Sequence, residues 1–451
     1  MKWIAHIWSI AAAALLAAAV SSCELFELNP VPRGWNDGPS MGGQPESHPA
    51  RLPAESDRKV LLVYSAGYNS LRSYLKEDIE DLWKGYIPGA RLQDDVLLVF
   101  SHLNVKTYDY TTLTERVLFR LTKDREGKVV SDTLLRLPHG SAISRECLSE
   151  VLGFIKDNFP ARNYGMIFSS HGSGWFPPGY YSRPEKKYFD YISWESIRPH
   201  RRQGVFWPEA PDGPAVKSIG QEQIGEESSE MTLREFAEAF PMHFDYILID
   251  ACLMGGVEVA YAFRDVCDGL GFSQAEVLAD GFDYTSVAHH LLENETPDPV
   301  KVCSDYYDYY NAQSGSFRSA TISFINCAGM EALAARCKEL FSRYRTEIAA
   351  VDYKKVQNFG RRMNDGGDRS WYFDLKDVLA KAGASEEDLA SLQASLDECI
   401  VYKAATPVLL GSIPIKSFSG LTMYLPAYGT EYLDAYYKEN ISWNDATELV
   451  Q

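Results

Sequence analysis

The chain has 451 residues, of which 45% are apolar and 24% charged, and a formal net charge of −18. These are the proportions of a globular protein, with length for one large domain or two ordinary ones and enough chain to bury a substantial core. The acidic balance argues against a nucleic-acid or anionic-membrane surface, and it suits attraction of basic substrates as well as plain solubility.

Residues 1–22 read as a targeting segment. Lys2 supplies the positive start, and residues 10–20 are an uninterrupted run of Ala, Leu, Ile and Val, too short for a stable membrane span. The run ends Val20, Ser21, Ser22, Cys23, which resembles a bacterial lipobox, with cleavage before Cys23 and acylation of its thiol. An ordinary secretory signal cleaved nearby is the plainer alternative. Residues 23–57, rich in Pro and Gly and poor in apolar residues, form a tether with no core of its own. The expected location is a bacterial cell envelope, lipid-anchored at the outer membrane or cell surface.

The globular part, 58–451, opens with an apolar strand at 59–64, a turn at 65–69 and a helix to about Leu82. A second strand is expected at 95–101 and a helix at 144–159. An apolar strand at 166–168 then runs into Ser169, Ser170, His171 and Gly172. Strands alternating with helices at this spacing imply βαβ units and a mostly parallel sheet covered on both faces. Residues 176–230 break the rhythm with a long Pro-, Gly- and aromatic-rich insertion that carries scattered Arg and Lys. It is either a cleft-shaping surface loop or a functional segment.

Thr232 and Glu235 make a capping box for a helix to about Phe240, which Pro241 ends. The apolar strand 246–249 follows, then Asp250, Ala251 and Cys252, then a helix opened by Gly255 and Gly256. A cysteine at such a strand-to-helix turn sits where the helix dipole stabilises a thiolate; the plainer reading is a small core residue. Two strands that each deliver a reactive side chain at the carboxyl end favour the first reading, because that rim is where open α/β sheets bind ligands. Cys252 and His171 can serve as nucleophile and base. The amides of Gly172 and Cys252 suit an oxyanion hole.

Seven cysteines follow Cys23. None lies in a CxxC or CxxH pattern, so no metal site is expected from them. Later elements are a short strand with a turn at 275–284, a strand at 319–325, helices at 329–344 and 386–400, and an edge strand at 417–425. Residues 364–368 are a turn or a weak ion site, the turn being favoured. Catalytic-core residues would run to about 330, with 331–451 completing the flanks.

Residues 59–71, 163–175 and 246–264 together resemble the clostripain family of cysteine peptidases, within the caspase-like fold group. The likeness extends over about 59–380 and is densest between 163 and 290; residues 371–379 match loosely. It implies a three-layer αβα sandwich and a cysteine endopeptidase working through a Cys–His dyad on protein or peptide substrates with basic residues. The resemblance places Asp280 at the floor of the pocket for the residue before the scissile bond, where Arg or Lys would bind; a turn Asp before Gly281 is the alternative. Asp250 is divided between the same pocket and capping the next helix. Relatives mature by cutting themselves between His and Cys, which makes Lys186 or Lys187 the candidate sites. No cofactor is required, although calcium enters by resemblance. The rival from another class is a catalytically silent surface lipoprotein that binds peptide or another ligand. A serine α/β-hydrolase is unsupported, since no apolar strand here runs into a G-x-S-x-G elbow.

Overall fold

Long apolar runs become the centre of one sheet. The computed structural model describes residues 57–103, 115–180, 222–224, 227–360 and 371–451, all within one contact unit spanning 49–451. The strands are β1 Lys59–Gly67, β2 Val96–Leu103, β3 Arg116–Lys123, β4 Val129–Leu137, β5 Asn163–Ser169, the small pair β6 Glu222–Ile224 and β7 Glu227–Ser229, β8 Phe244–Asp250, β9 Cys267–Phe272, β10 Thr321–Asn326, β11 Phe373–Asp374, β12 Ile400–Ala405 and the short β13 Val408–Leu409, β14 Ile413–Pro414 and β15 Thr422–Met423. Nine of them form the main sheet, in the order β12-β10-β9-β8-β5-β1-β2-β3-β4. Its central five strands, β9-β8-β5-β1-β2, are parallel. An antiparallel pair is added at each edge.

Every residue of β1 is buried, as are the last five of β5 and of β8, as expected of parallel strands covered on both faces. Edge strand β4 instead exposes Ser131, Asp132 and Arg136, a polar rim that discourages edge-to-edge pairing. Helices Arg72–Leu82 and Tyr284–Ala288 pack together on one face, and Pro299–Asn311 joins them through the helical turn His289–Glu293. Helices Arg145–Asn158, Leu233–Glu238, Val257–Ala262, Met330–Arg343 and Glu386–Cys399 form a connected layer on the other. The result is the three-layer αβα sandwich of the caspase-like group.

Two caps work as their residues suggest. The Ser144 hydroxyl accepts from the Cys147 N–H at 3.2 Å. Thr232 and Glu235 exchange the reciprocal bonds of the capping box.

Four local expectations are corrected. Residues 275–283 form no strand but bends, irregular chain, a single bridge residue at Leu278 and a turn, and the strand of this region is β9, just upstream. The helix after Cys252 covers only Val257–Ala262, and the helix begun at Thr232 ends at Glu238. Residues 417–425 do not extend the main sheet: Thr422–Met423 pairs with β11 in a separate two-stranded ladder. The true edge is β12, which follows directly from the helix Glu386–Cys399. The β3–β4 hairpin was not expected at all. Residues 1–56 with Cys23, the stretch with Lys186 and Lys187, and residues 364–368 lie outside the described residues. Among the described residues no helix is long and apolar enough to cross a membrane.

Candidate active site

β5 and β8 are hydrogen-bonded neighbours, and the last rung of their ladder joins Ser169 to Asp250, residues 81 apart in sequence. His171 and Cys252 have the same offset, and each lies two residues past the end of its strand, at the same carboxyl rim. Adjacent strands run about 4.8 Å apart. The backbones close up further here: a Cβ on Gly172 would lie 2.5 Å from the Cys252 carbonyl oxygen and 2.9 Å from the Ala251 Cβ. Only glycine fits there.

Cys252 is fully buried. Its sulfur accepts from the Val277 N–H at 3.1 Å and its thiol donates to the Val277 carbonyl at 3.7 Å. The segment around Val277 is zipped onto the turn that follows the cysteine: the Leu253 N–H donates to the Ala275 carbonyl at 2.9 Å, and the Gly255 N–H to the Ser273 carbonyl at 2.7 Å. Leu253 itself has a φ of 62°, the left-handed region that side chains rarely adopt. Such local strain is characteristic of sites where a turn must aim a reactive group.

His171 is half-buried, and its Nε2 lies 3.2 Å from the Ser70 hydroxyl. The loop that follows it is pinned. The Tyr372 hydroxyl donates to the Ser173 carbonyl at 2.8 Å, and buried Trp175 stacks on Phe176 and meets Tyr424 and Tyr437 edge-on.

The two acidic candidates have different surroundings. Asp250 is buried, and its Oδ2 accepts from the Tyr284 hydroxyl at 2.9 Å and the Ser169 hydroxyl at 3.3 Å. Burial pushes the Tyr284 hydroxyl well above its ordinary range, with Asp250 raising it further; it is a hydrogen-bond donor here, not an acid. Helix capping, the other option for Asp250, does not occur, since Gly256 is the N-cap of Val257–Ala262. Asp280 is exposed, in a turn closed by the Gly281 N–H donating to the Leu278 carbonyl at 2.9 Å.

All seven cysteines after Cys23 are buried thiols. Desolvation pushes the Cys399 thiol up to about 12 and holds Cys303 and Cys337 above that, which makes them core residues rather than nucleophiles. Among the described residues no group of three His, Cys, Asp or Glu stands where it would hold a metal ion. Ser70, Val277 and Tyr284 touch the site without having been singled out in the sequence. Each reaches it from a distant segment, and only the order of strands brings them in.

The nine-stranded sheet between two helix layers, with a thiol and an imidazole just past the ends of adjoining strands, defines the class: a caspase-like αβα fold. The chain belongs to the clostripain family, whose sequence profile matches residues 63–193 and 203–450, and is accordingly a cysteine peptidase. It is similar to clostripain of Hathewaya histolytica, at 21% identity over 462 residues, 88% of this chain and 81% of that one. Among solved structures, it resembles an inactive zymogen protease from Parabacteroides distasonis, with TM-score 0.67 and 24% identity over 88% of this chain and 99% of the other. A secreted cysteine protease from Bacteroides thetaiotaomicron, in complex with an irreversible peptide inhibitor, matches with TM-score 0.66 and 22% identity over 86% and 99%.

Proposed function

We propose that the chain is a cysteine endopeptidase that cleaves after arginine or lysine through a Cys252–His171 dyad. The observation that supports it is the adjacency of β5 and β8: His171 and Cys252 each follow two residues after the last paired rung, Ser169 with Asp250, at the same carboxyl rim. Cys252, as thiolate, attacks the peptide carbonyl, while the amides of Gly172 and Cys252 hold the oxyanion. His171 protonates the departing amine, and water then releases the acyl group from the sulfur. The buried Asp250 carboxylate and the exposed Asp280 carboxylate are the two negative groups assigned to a basic side chain of substrate, which a guanidinium would meet through paired hydrogen bonds.

The burial of Cys252 against Val277 suits a chain still to be matured. Self-cleavage between His171 and Cys252, after Lys186 or Lys187, is the step assigned to that maturation. Upstream, acylation at Cys23 would anchor the enzyme to an envelope membrane. A silent binding role has no observation in its favour.

A fluorogenic peptide panel that varies the residue before the cut tests the specificity. Arginyl and lysyl peptides should be cleaved by the wild type, not at all by Cys252→Ala, and weakly by Asp280→Ala. Equal turnover of acidic or apolar peptides, unchanged by Asp280→Ala, would remove the pocket assignment. On a gel, purified active protein should give two fragments and Cys252→Ala one; a single intact band from active protein refutes self-cleavage.

A further inference from the structure

We propose that Ser70 is a positioning residue for the histidine: its hydroxyl holds Nε2 of His171, so that the ring works on the Cys252 side through Nδ1. The proposal rests on the dyad reading above and adds a third member from a third strand. The sheet order β8-β5-β1 places His171 in the middle, with Cys252 beyond β8 on one side and the extension of β1 on the other. Ser70 lies on that extension.

Its place is fixed from both sides. The Ser170 hydroxyl donates to the Ala66 carbonyl at 2.8 Å, tying β1 to the chain immediately before His171. Asn69 is buried, and its Oδ1 accepts from the Leu71 N–H at 2.9 Å, turning the chain into the helix Arg72–Leu82. Leu71 is buried as well. Ser70, between these two anchors, is exposed, and its Oγ comes to 3.2 Å from His171 Nε2.

The chemistry favours a hydroxyl here. With the Nε2–H donating to Ser70 Oγ, the neutral ring has its lone pair on Nδ1, which accepts the thiol proton. When that proton passes on to the departing amine, the Nε2–H···Oγ bond persists, so the ring keeps its orientation in both protonation states. Ser70 itself takes and gives no proton. A hydroxyl carries no charge, so it orients the imidazolium without making it the weaker acid that a carboxylate partner would.

The test compares wild type, Ser70→Ala and Ser70→Thr as active enzyme on one arginyl peptide, with active sites counted by an irreversible peptide probe. His171→Ala and Cys252→Ala serve as controls. Ser70→Ala should lower kcat about 3- to 10-fold, the range one neutral hydrogen bond is worth, with KM within about twofold and an unchanged melting temperature. Ser70→Thr, which keeps the hydroxyl, should restore most of kcat. Wild-type kcat in Ser70→Ala, or a Ser70→Thr enzyme as slow as Ser70→Ala, overturns the role of Ser70 while the dyad stands if both controls are dead. An active His171→Ala or Cys252→Ala enzyme overturns the dyad, and Ser70 with it.

Discussion

Gly172 shows how little room the rim leaves. A methyl group there would press within 2.5 Å of the Cys252 carbonyl oxygen, and neither the backbone of β5 nor that of β8 is free to yield. Gly172→Ala should therefore cost about 1–3 kcal/mol in a denaturant melt and, by displacing the backbone amide assigned to the oxyanion, lower kcat/KM by up to about 100-fold. Wild-type kinetics in that variant would remove Gly172 from the site. At this scale the sequence was informative about the pair that matters most, since His171 and Cys252 each follow an apolar strand and precede glycines. It was silent about Ser70 and Val277. Contacts to the imidazole and the sulfur come from residues 101 and 25 positions away, and no local pattern encodes them.

Strands declare themselves when they are apolar, and β9 is not. Its sequence, CDGLGF, carries two glycines that argue against a strand interior. The fold needs both. A Cβ on Gly269 would lie 2.4 Å from the Phe324 ring, and one on Gly271 would lie 2.5 Å from Leu248 and 3.1 Å from the Cys303 sulfur. Large neighbours on β8 and β10 fill the space that side chains of β9 would take, so the strand is invisible until its partners are known. The helix after Cys252 was expected to be longer because its apolar residues continue to Val266, but the chain turns at Phe263 to enter β9.

That short helix carries Glu258, fully buried, whose Oε1 accepts from the Tyr424 N–H and the Tyr437 hydroxyl, both at 2.8 Å. Burial pushes its carboxyl from 4.5 up to about 7. The folded state therefore holds this proton where the unfolded chain has lost it. The stabilising effect is complete below about pH 4.5 and is lost as pH rises to about 7, on the order of 3 kcal/mol in all. Glu258→Gln has no such proton, so its melting temperature should fall less than that of wild type across this window, and the variant should be the more stable protein at pH 8. Parallel curves for the two proteins would show that Glu258 does not titrate there.

Over the whole molecule, the alternation of strands and helices was enough to read a parallel sheet with helices on both faces. It was not enough to read the edges. β12 begins where the helix Glu386–Cys399 ends, with no turn signal between them, and it pairs antiparallel with β10 across the 73 residues, 327–399, that separate the two strands. Such non-local pairing depends on what the remaining chain leaves exposed. Charge also acts at this scale. With a net −18, the enzyme should attract a cationic peptide at long range, and salt would screen that attraction beyond about 10 Å at 0.1 M. Raising the ionic strength should increase KM for an arginyl peptide and leave kcat nearly unchanged. A KM that does not respond to salt would mean that the acidic surface plays no part in substrate capture.

Activation of the Cys252 sulfur by the imidazole of His171 is the central claim, and covalent labelling measures it directly. Active enzyme is treated with a chloromethyl ketone peptide ending in arginine, the labelled residue is mapped by mass spectrometry, and the rate is compared with that of His171→Ala. The label is expected on Cys252 alone, with the rate falling about 100-fold or more in His171→Ala. Labelling at another cysteine, or at an undiminished rate without His171, would contradict it.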